Sequence, residues 1–473
     1  MKPAAHAAAA RFVVGPISAT LARFAWPLLA INLLHALAST WGAVWVGQVL
    51  GANALAAVAT TSVMMLLLKG AVMGMGSAAG VAIGQSLGAG DLTSVKRVVG
   101  SALAFVVVFG LTVAAAGWAL APAIVDGLAT PAAARGHAIT HLRATCAAMP
   151  SIFTYLVMVM LLRASGDSKT PLKFTLLWIA LSMLLGPLLL TGSWGLPQLG
   201  IAGLGVGSLL ASAVALGALV FTVYLRRDVI ALHGADLRHL RPTPALLGLL
   251  LKRGLPMAAE TIIVQGSYFA LLAMVNAHGA ATTAAYSAAA QLWAYVQLPS
   301  NALAASMSAM AAMNIGAGRW DRVDRIAWRG CAMSLAIASA VTLVLLALGD
   351  APLRLFIPEG GVVLAKAWQI NLIVLWGWIA LSASMGLFSI MRANGATLAP
   401  MLIFGATMWL LRVPFAWLLE PVLGEAAIWW SFPFGALCAA AMALFWYRRG
   451  SWRHNQLMMA EVTVLGEEGH VGE

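Results

Sequence analysis

The sequence predicts an all-α integral membrane protein, with twelve transmembrane helices in two six-helix lobes related by a parallel pseudo-two-fold repeat. Three observations predict this fold: the composition, the placement of basic residues, and a set of landmark residues that recurs at one offset. Of the 473 residues, 62% are hydrophobic and only 9% are charged, and the mean hydropathy is +0.90. A soluble domain carries roughly 25% charged residues, so most of this chain cannot face water.

The spanning helices follow from the apolar runs, because crossing the hydrocarbon core as a helix takes about 20 apolar residues. In the first half the runs predict helices at 17–42, 53–85, 98–121, 137–163, 171–192 and 200–225. In the second half they predict helices at 245–276, 282–313, 324–348, 364–391, 398–419 and 427–447. The predicted domains are an N-terminal segment (1–16), an N-lobe (17–225), a linker (226–244), a C-lobe (245–447) and a polar tail (448–473).

The orientation follows from the loops, because cytoplasmic loops carry an excess of Lys and Arg. Most basic residues fall on one side of the predicted helices, among them Lys96, Arg97, Lys169, Lys173, Arg226, Arg227, Arg319, Arg322, Arg392, Arg448 and Arg449. The opposite loops hold only Arg135, Arg143, Arg354 and Lys366. We therefore expect a multi-pass protein of the cell (inner) membrane with both termini cytoplasmic. The first ten residues lack the apolar core of a signal peptide, so the first helix is expected to act as an uncleaved insertion signal.

The two halves repeat the same landmarks. Pro27 and Pro256 lie 229 positions apart, and each opens a long apolar helix. The other pairs are RASG at 163–166 with RANG at 392–395, GAG at 88–90 with GAG at 316–318, and Gly51 with Gly279. Because six helices is an even number, the two copies must insert with the same polarity, the parallel-repeat arrangement of some secondary transporters.

Several function classes are disfavoured. The net charge of +12 comes from short clusters between apolar runs, whereas a nucleic-acid partner requires a continuous basic face. The three cysteines, Cys146, Cys331 and Cys438, are scattered over separate helices and form no disulfide frame or zinc motif. The sequence also lacks a GxxxxGK[ST] phosphate-binding loop, which argues against a nucleotide-driven mechanism.

Four motifs carry a family resemblance: VGQVLG at 46–51, GQSLGAG at 84–90, RASGDSKTP at 163–171 and NIGAG at 314–318. In order and spacing they resemble the multidrug and toxic compound extrusion (MATE) family, over nearly all of residues 17–447. The resemblance implies a V-shaped pair of lobes that exports amphipathic, often cationic, organic compounds by alternating access, in exchange for protons or sodium. It also implies a monomer in the lipid bilayer that needs no cofactor besides the coupling ion.

The chain departs from the family pattern at two places. Members often carry an acidic residue on the first helix, but residues 41–45 read WGAVW here. Members also place an acidic residue on the tenth helix, but residues 364–391 hold neither Asp nor Glu. The coupling ion can therefore be a proton or sodium. The residues of the first half that would bind it are not identified.

Glu260 is the predicted ion-coupling residue. It is the one carboxylate well inside a predicted span, four residues after Pro256, and a charge inside the bilayer is costly enough to suggest a function. Burial penalises the charged form of a carboxyl group, so such a group can take a proton from one side and release it to the other. The family usually places its acid one turn further on, where this chain has Val264. The alternative is a structural pair with Lys252 or Arg253 at the interface.

Polar residues on the same and neighbouring helices are the candidate substrate-binding residues. They are Asn32 and His35 on the first helix, Gln265, Tyr268 and Asn276 on the seventh, and Gln291 and Tyr295 on the eighth. For each of them the alternative role is to form a hydrogen bond between helices.

Lys69 and Arg412 also lie inside predicted spans. There each would repel a cationic substrate, which favours a structural role unless the substrate is anionic.

Three rival interpretations remain. A lipid-linked oligosaccharide flippase of a related fold would need a larger cationic cavity. A membrane-embedded enzyme would need a cluster of catalytic or metal-binding groups at membrane depth. A major facilitator transporter also has parallel six-helix halves, but its charged motif is missing from the loop GAGDLTSVKR at 88–97.

Overall fold

A computed structural model describes residues 11–128, 130, 132–241, 243–358 and 360–454, and over these ranges the chain is helical without a β-strand. The helices of the first half are α1 (Ile17–Ala89), α2 (Leu92–Gly127), α3 (Ala132–Ala164), α4 (Lys169–Thr191) and α5 (Ala202–Leu225). Those of the second half are α6 (Pro244–Ala277), α7 (Ala280–Gly316), α8 (Trp320–Ala347), α9 (Gly361–Ala393), α10 (Leu398–Leu423) and α11 (Ala426–Arg449). The N-terminal residues 1–10 and most of the predicted tail lie outside the described residues.

The chain forms two compact units. Within the described ranges, one unit comprises residues 30–255, and the other comprises residues 256–454 together with residues 11–29. The second unit holds its N-terminal piece through backbone carbonyls. Asn314 donates a hydrogen bond to the carbonyl of Phe12 at 3.1 Å, and Arg319 donates one to the carbonyl of Val13 at 3.0 Å.

Helix α1 differs from the expectation. Residues 17–42 and 53–85 were predicted as two helices, but the structure describes one helix of 73 residues from Ile17 to Ala89. Residues 43–52 contain no proline, and nothing in their backbone ends the helix. The two apolar stretches in it, Ile17–Ala38 and Leu67–Ala89, correspond to the two predicted spans. Gly51 therefore lies inside a helix, whereas its counterpart Gly279 has a φ of +93° and precedes α7.

The other repeated glycines end helices in both halves. Gly90 and its counterpart Gly318 have φ values of +81° and +71°. Gly166 and Gly395 have φ values of +90° and +79°. Only glycine adopts this left-handed conformation without a steric cost, which is why it commonly follows the last helical residue. The sequence repeat is therefore a repeat of helix ends.

Among the described residues, eleven stretches are long and apolar enough to span a membrane. The remaining predicted helix, α7, has 37 residues but is less apolar, since it contains many Ser, Thr, Asn and Gln side chains. With α7 included, the described helices account for the twelve predicted spans. Helix α10 is irregular, because Ala406–Arg412 forms a π-helical segment between two α-helical parts.

Glycines allow close helix contacts inside each unit. In the first unit, a Cβ added to Gly110 on α2 would lie 2.8 Å from Cα of Pro150 on α3. In the second unit, a Cβ added to Gly377 on α9 would lie 3.0 Å from Cα of Pro433 on α11. Real Cβ atoms essentially never approach to 2.8 Å, and 3.0 Å is tighter than nine in ten real Cβ contacts, so both contacts favour glycine. Such small residues permit tight packing of membrane helices.

Candidate functional site

Glu260 lies on α6 and is buried, with 8% of its surface exposed. Its Oε1 atom is 3.5 Å from Nη2 of Arg392, in the last turn of α9. Its Oε2 atom is buried and accepts no hydrogen bond. The ion pair is therefore made with the arginine of the RANG motif. This carboxylate has one oxygen held by a guanidinium and the other available to a proton or a cation.

A second cluster in the same unit surrounds Arg412, which ends the π-helical segment of α10 and is 2% exposed. Its guanidinium carbon lies 3.7 Å from the ring centre of Phe432 on α11 and 4.9 Å from that of Tyr268 on α6. Nη1 donates to Sδ of Met408 at 3.4 Å. The Nε and Nη2 atoms have no hydrogen-bond partner and are shielded from solvent.

The aromatic cluster extends from Phe432 to α7 and α9. The ring of Trp293 lies 5.1 Å from Phe432 and 5.6 Å from Tyr286. Trp293 donates a buried hydrogen bond of 2.8 Å from Nε1 to Oδ1 of Asn371 on α9. Five helices of the second unit, α6, α7, α9, α10 and α11, therefore contribute rings or polar groups to one cluster, with Arg412 as its cation. Aromatic faces of this kind attract positively charged groups, and they also provide apolar surface for a flat organic molecule.

The first unit has a smaller cluster around His35. The imidazole of His35 lies 5.6 Å from the ring of Trp178 on α4, and Trp178 lies 5.0 Å from Tyr155 on α3. The hydroxyl groups of Tyr155 and Thr175 are 2.9 Å apart. The charges of Lys69 and Arg163 both act on His35. The structure therefore brings His35 and Lys69 into one basic and aromatic environment.

The other predicted substrate residues are dispersed. Asn32 and Gln265 are half-buried on α1 and α6. Asn276 is exposed, and its Oδ1 accepts a hydrogen bond from Thr283 at 3.0 Å. Gln291 lines a cavity of about 610 Å³ between α7 and residues 356–358, 360 and 363. Tyr295 is half-buried one turn further along α7. Of the predicted residues in the second unit, only Tyr268 lies in the aromatic cluster.

A polar network joins helix ends in the second unit. Nζ of Lys366 on α9 lies 3.0 Å and 2.9 Å from the two carboxylate oxygens of Glu425 and donates to Thr282 on α7 at 2.9 Å. His278 and Glu420 form a neighbouring pair at 2.9 Å. Burial alone would raise the pKa of Glu425, but the hydrogen bonds from Lys366 and Thr282 and the nearby positive charges hold it below its ordinary value. The network stabilises the ends of three helices.

Sequence reasoning missed most of the aromatic cluster. Tyr286, Phe432 and Asn371 were not candidates, whereas Trp293 and Trp378 belong to a group of five tryptophans that could line a cavity by their positions in the sequence, with Trp41, Trp45 and Trp376. Tyr286 and Trp293 are seven positions apart, which places them on one face of α7. That spacing was the available signal. The partner of Glu260 was missed as well, because Arg392 lies on a helix far away in sequence. No group of three or more His, Cys, Asp or Glu side chains suited to a metal ion occurs in the described ranges.

Comparison with known proteins gives a consistent result. The family model described as MatE matches residues 27–188 and 256–418. The chain is 30% identical over 442 residues to the probable multidrug resistance protein YoeA of Bacillus subtilis, covering 93% of this chain and 95% of that protein. It is 26% identical to the probable multidrug resistance protein NorM of Pseudomonas putida, covering 93% and 95% of the two chains.

Solved structures share the fold. One is described as the outward-facing conformation of a multidrug resistance MATE family transporter of the MOP superfamily. It superposes with a TM-score of 0.85 at 18% identity and covers 93% of this chain and 97% of that one. A MATE structure in complex with MaL6 gives a TM-score of 0.86 with the same identity and coverage.

Proposed function

The chain belongs to the MatE family of membrane transporters, and from this premise we propose that it is a proton- or sodium-coupled antiporter that exports amphipathic organic compounds by alternating access. Membership of a transporter family rules out the membrane-embedded enzyme. The names of the relatives support drug efflux, because they are probable multidrug resistance proteins. The flippase remains the alternative, and it would need a larger cationic cavity than a transporter of small organic compounds.

The observation that carries the proposal is the environment of Glu260. A buried carboxylate oxygen without a partner, here Oε2, is costly unless a proton or cation occupies it for part of the cycle. The opposing Arg392 is 3.5 Å from Oε1, longer than a normal charge-assisted hydrogen bond. Arg392 is therefore close enough to compensate the negative charge of Glu260. The contact is also weak enough for a coupling ion to replace it.

Two states of Glu260 follow from this geometry. In one state the carboxylate is charged and paired with Arg392. In the other it holds the coupling ion, and the guanidinium is released from it. Because the two partners lie on different helices, α6 and α9, exchange between these states changes how the two helices are held together. We propose that this exchange links ion binding to the conformational cycle.

The finer expectations complete the proposal. The transporter is expected in the inner membrane with both termini cytoplasmic, and it is expected to work as a monomer. Its partners are small organic cations and the lipid bilayer, and its only cofactor is the coupling ion. The aromatic cluster around Phe432 supports binding of organic cations, since ring faces attract them, although Arg412 opposes a simple cation.

The proposal is tested with purified protein in proteoliposomes loaded with ethidium. Export is followed by fluorescence under a pH gradient in potassium salts, or under a sodium gradient at equal pH on both sides. Wild type should be stimulated by one of the two gradients. Glu260→Gln keeps the size of the side chain but cannot exchange a proton or bind sodium as a carboxylate, so it should lose that stimulation.

A matched control is Asp350→Asn, which removes a carboxylate from the same unit. Asp350 forms an ion pair with Arg354, whose side chain is 62% exposed, so this variant should export as wild type does. Equal stimulation of wild type and Glu260→Gln by the same gradient would remove Glu260 from the mechanism. The gradient that stimulates wild type identifies the coupling ion.

A further inference from the structure

Building on the proposed transport function, we propose that Arg412 binds a carboxylate group of the exported compound, so that aromatic compounds carrying a carboxylate bind more tightly than simple cations, which remain weaker substrates. Arg412 then supplies an anion-binding site within the aromatic cluster of the second unit.

The first step is the lack of an acidic partner. Arg412 is 2% exposed. The groups that act on it among the described residues are the hydroxyls of Tyr268, which is also a hydrogen-bond partner, and of Tyr286, and neither carries a negative charge at neutral pH. A buried charge without a counter-ion is costly, and buried charges are normally paired. A structural role is served by stacking on Phe432 at 3.7 Å, but stacking leaves the N–H groups of Nε and Nη2 without a partner.

The second step is the position of the N–H groups that have no partner. Nε and Nη2 of Arg412 both lack a partner, and together they form one edge of the guanidinium. Arg135 in the same protein uses this edge to hold Asp126, with Nε 2.6 Å from Oδ1 and Nη2 2.8 Å from Oδ2. Two parallel N–H groups match the two oxygens of a carboxylate. The unpartnered edge of Arg412 therefore presents the two N–H groups that a carboxylate requires.

The third step is the surroundings of that edge. The guanidinium carbon lies over the rings of Phe432 and Tyr268, and Trp293 and Tyr286 extend the aromatic surface. A flat aromatic compound can stack on these rings while its carboxylate reaches the edge. The segment Ala406–Arg412 is π-helical, and such segments frequently mark functional sites. Because Nε and Nη2 are shielded from solvent here, binding requires one of the covering rings to rotate.

The first unit gives independent support from its charges. Its carboxylates are Asp91, Asp126, Asp167, Asp228 and Asp236, and each lies in a loop or at a helix end. Its cluster instead surrounds His35, which is half-buried, and the charges of Lys69, which is exposed, and of Arg163, which is half-buried, act on it. Nε of Arg163 is also buried without a partner. Both units therefore place an arginine with an unpartnered Nε near aromatic rings, which suits a substrate carrying negative charge.

The test compares two dyes that differ in one group. Tetramethylrhodamine carries a free carboxylate, and its methyl ester is a cation with the same rings. Binding of each dye to the full-length protein in dodecylmaltoside is measured by fluorescence anisotropy for wild type, Arg412→Met, Arg412→Lys and Arg354→Gln. Arg354 is an exposed arginine of the same unit, paired with Asp350, so Arg354→Gln is the matched control.

Loss of a charge-assisted bidentate contact should weaken binding of the carboxylate dye to Arg412→Met by about 10- to 100-fold. Arg412→Lys keeps the positive charge but lacks the two parallel N–H groups. Its affinity for the carboxylate dye should lie between those of Arg412→Met and wild type. The ester should bind Arg412→Met no more weakly than it binds wild type, because a repelling charge has been removed. Arg354→Gln should bind both dyes as wild type does.

Equal affinity of wild type and Arg412→Met for the carboxylate dye, including no binding by either, would overturn the proposal. An equal loss of affinity for both dyes in Arg412→Met would also overturn the proposal, because it indicates a structural role for Arg412. A lipid phosphate is the competing source of anionic oxygens. If short-chain phosphatidylglycerol displaces the carboxylate dye from wild type but does not bind Arg412→Met, the site belongs to a lipid and the substrate proposal fails. None of these outcomes bears on gradient coupling at Glu260, which the ethidium assay tests separately.

Discussion

Replacement of Arg412 by methionine should not destabilise the protein. The structure gives two opposing contributions. Nε and Nη2 are buried without partners, and each unmade bond costs about 1–3 kcal/mol. Methionine removes both costs, about 2–6 kcal/mol together. The change also removes the stacking on Phe432 at 3.7 Å, which contributes about 2 kcal/mol in a site without water. The balance is about 0–4 kcal/mol in favour of Arg412→Met.

The assay is thermal unfolding in dodecylmaltoside, followed by intrinsic tryptophan fluorescence. Asn371→Leu is the comparison variant in the same cluster. It leaves the Nε1–H of Trp293, which now donates to Asn371 at 2.8 Å, buried without an acceptor. That should lower stability by about 1–3 kcal/mol. The expected order of Tm is Arg412→Met at or above wild type, and Asn371→Leu below both. A Tm of Arg412→Met several degrees below wild type would refute the reasoning, because it would show that the guanidinium stabilises the fold.

Two further predictions concern stability elsewhere. Because the folded-state pKa of Glu425 lies below its ordinary value of 4.5, its stabilising contribution is present above that value and is lost as pH falls through the lowered one. Lys366→Met should therefore reduce the loss of Tm between pH 6 and about pH 3, and an unchanged pH profile would contradict the assignment. Gly110→Ala should lower stability by about 1–3 kcal/mol, since its Cβ would lie 2.8 Å from Cα of Pro150. Gly217→Ala, where no atom lies within 4 Å, should be neutral or stabilising by up to about 1 kcal/mol, and equal effects of the two alanines would contradict the packing described.

The helices were predictable because their signals are local. Apolar runs set the spans, and repeated glycines such as Gly90 and Gly318 set their ends, since the left-handed backbone at φ +81° and +71° favours glycine. The continuity of α1 was not predictable in the same way. Gly51 matches Gly279 in position, but a glycine only permits a break, and the surrounding residues decide whether one forms.

The candidate site was predictable only in part. Glu260 stood out because a carboxylate in an apolar run is rare and costly. Its ion pair with Arg392 and the position of Phe432 against Arg412 join residues from distant helices, and no spacing in the sequence encodes such contacts. The sequence favoured a structural role for Arg412, because a cationic substrate was assumed and an arginine would repel it. An anionic substrate was the stated exception. The unused edge of its guanidinium became visible only with its neighbours in place.

The central claim is that Glu260 holds the coupling ion in one state and releases it in the other, and release of the ion when substrate is added tests it most directly. Tetraphenylphosphonium, which does not titrate, is added to detergent-solubilised protein in weak buffer containing a pH indicator. If the coupling ion is a proton, wild type should release up to one proton per molecule near neutral pH, and Glu260→Gln should release none. If the ion is sodium, the same addition should displace bound radioactive sodium from wild type only. Release of either ion to the same extent by wild type and Glu260→Gln would contradict the account.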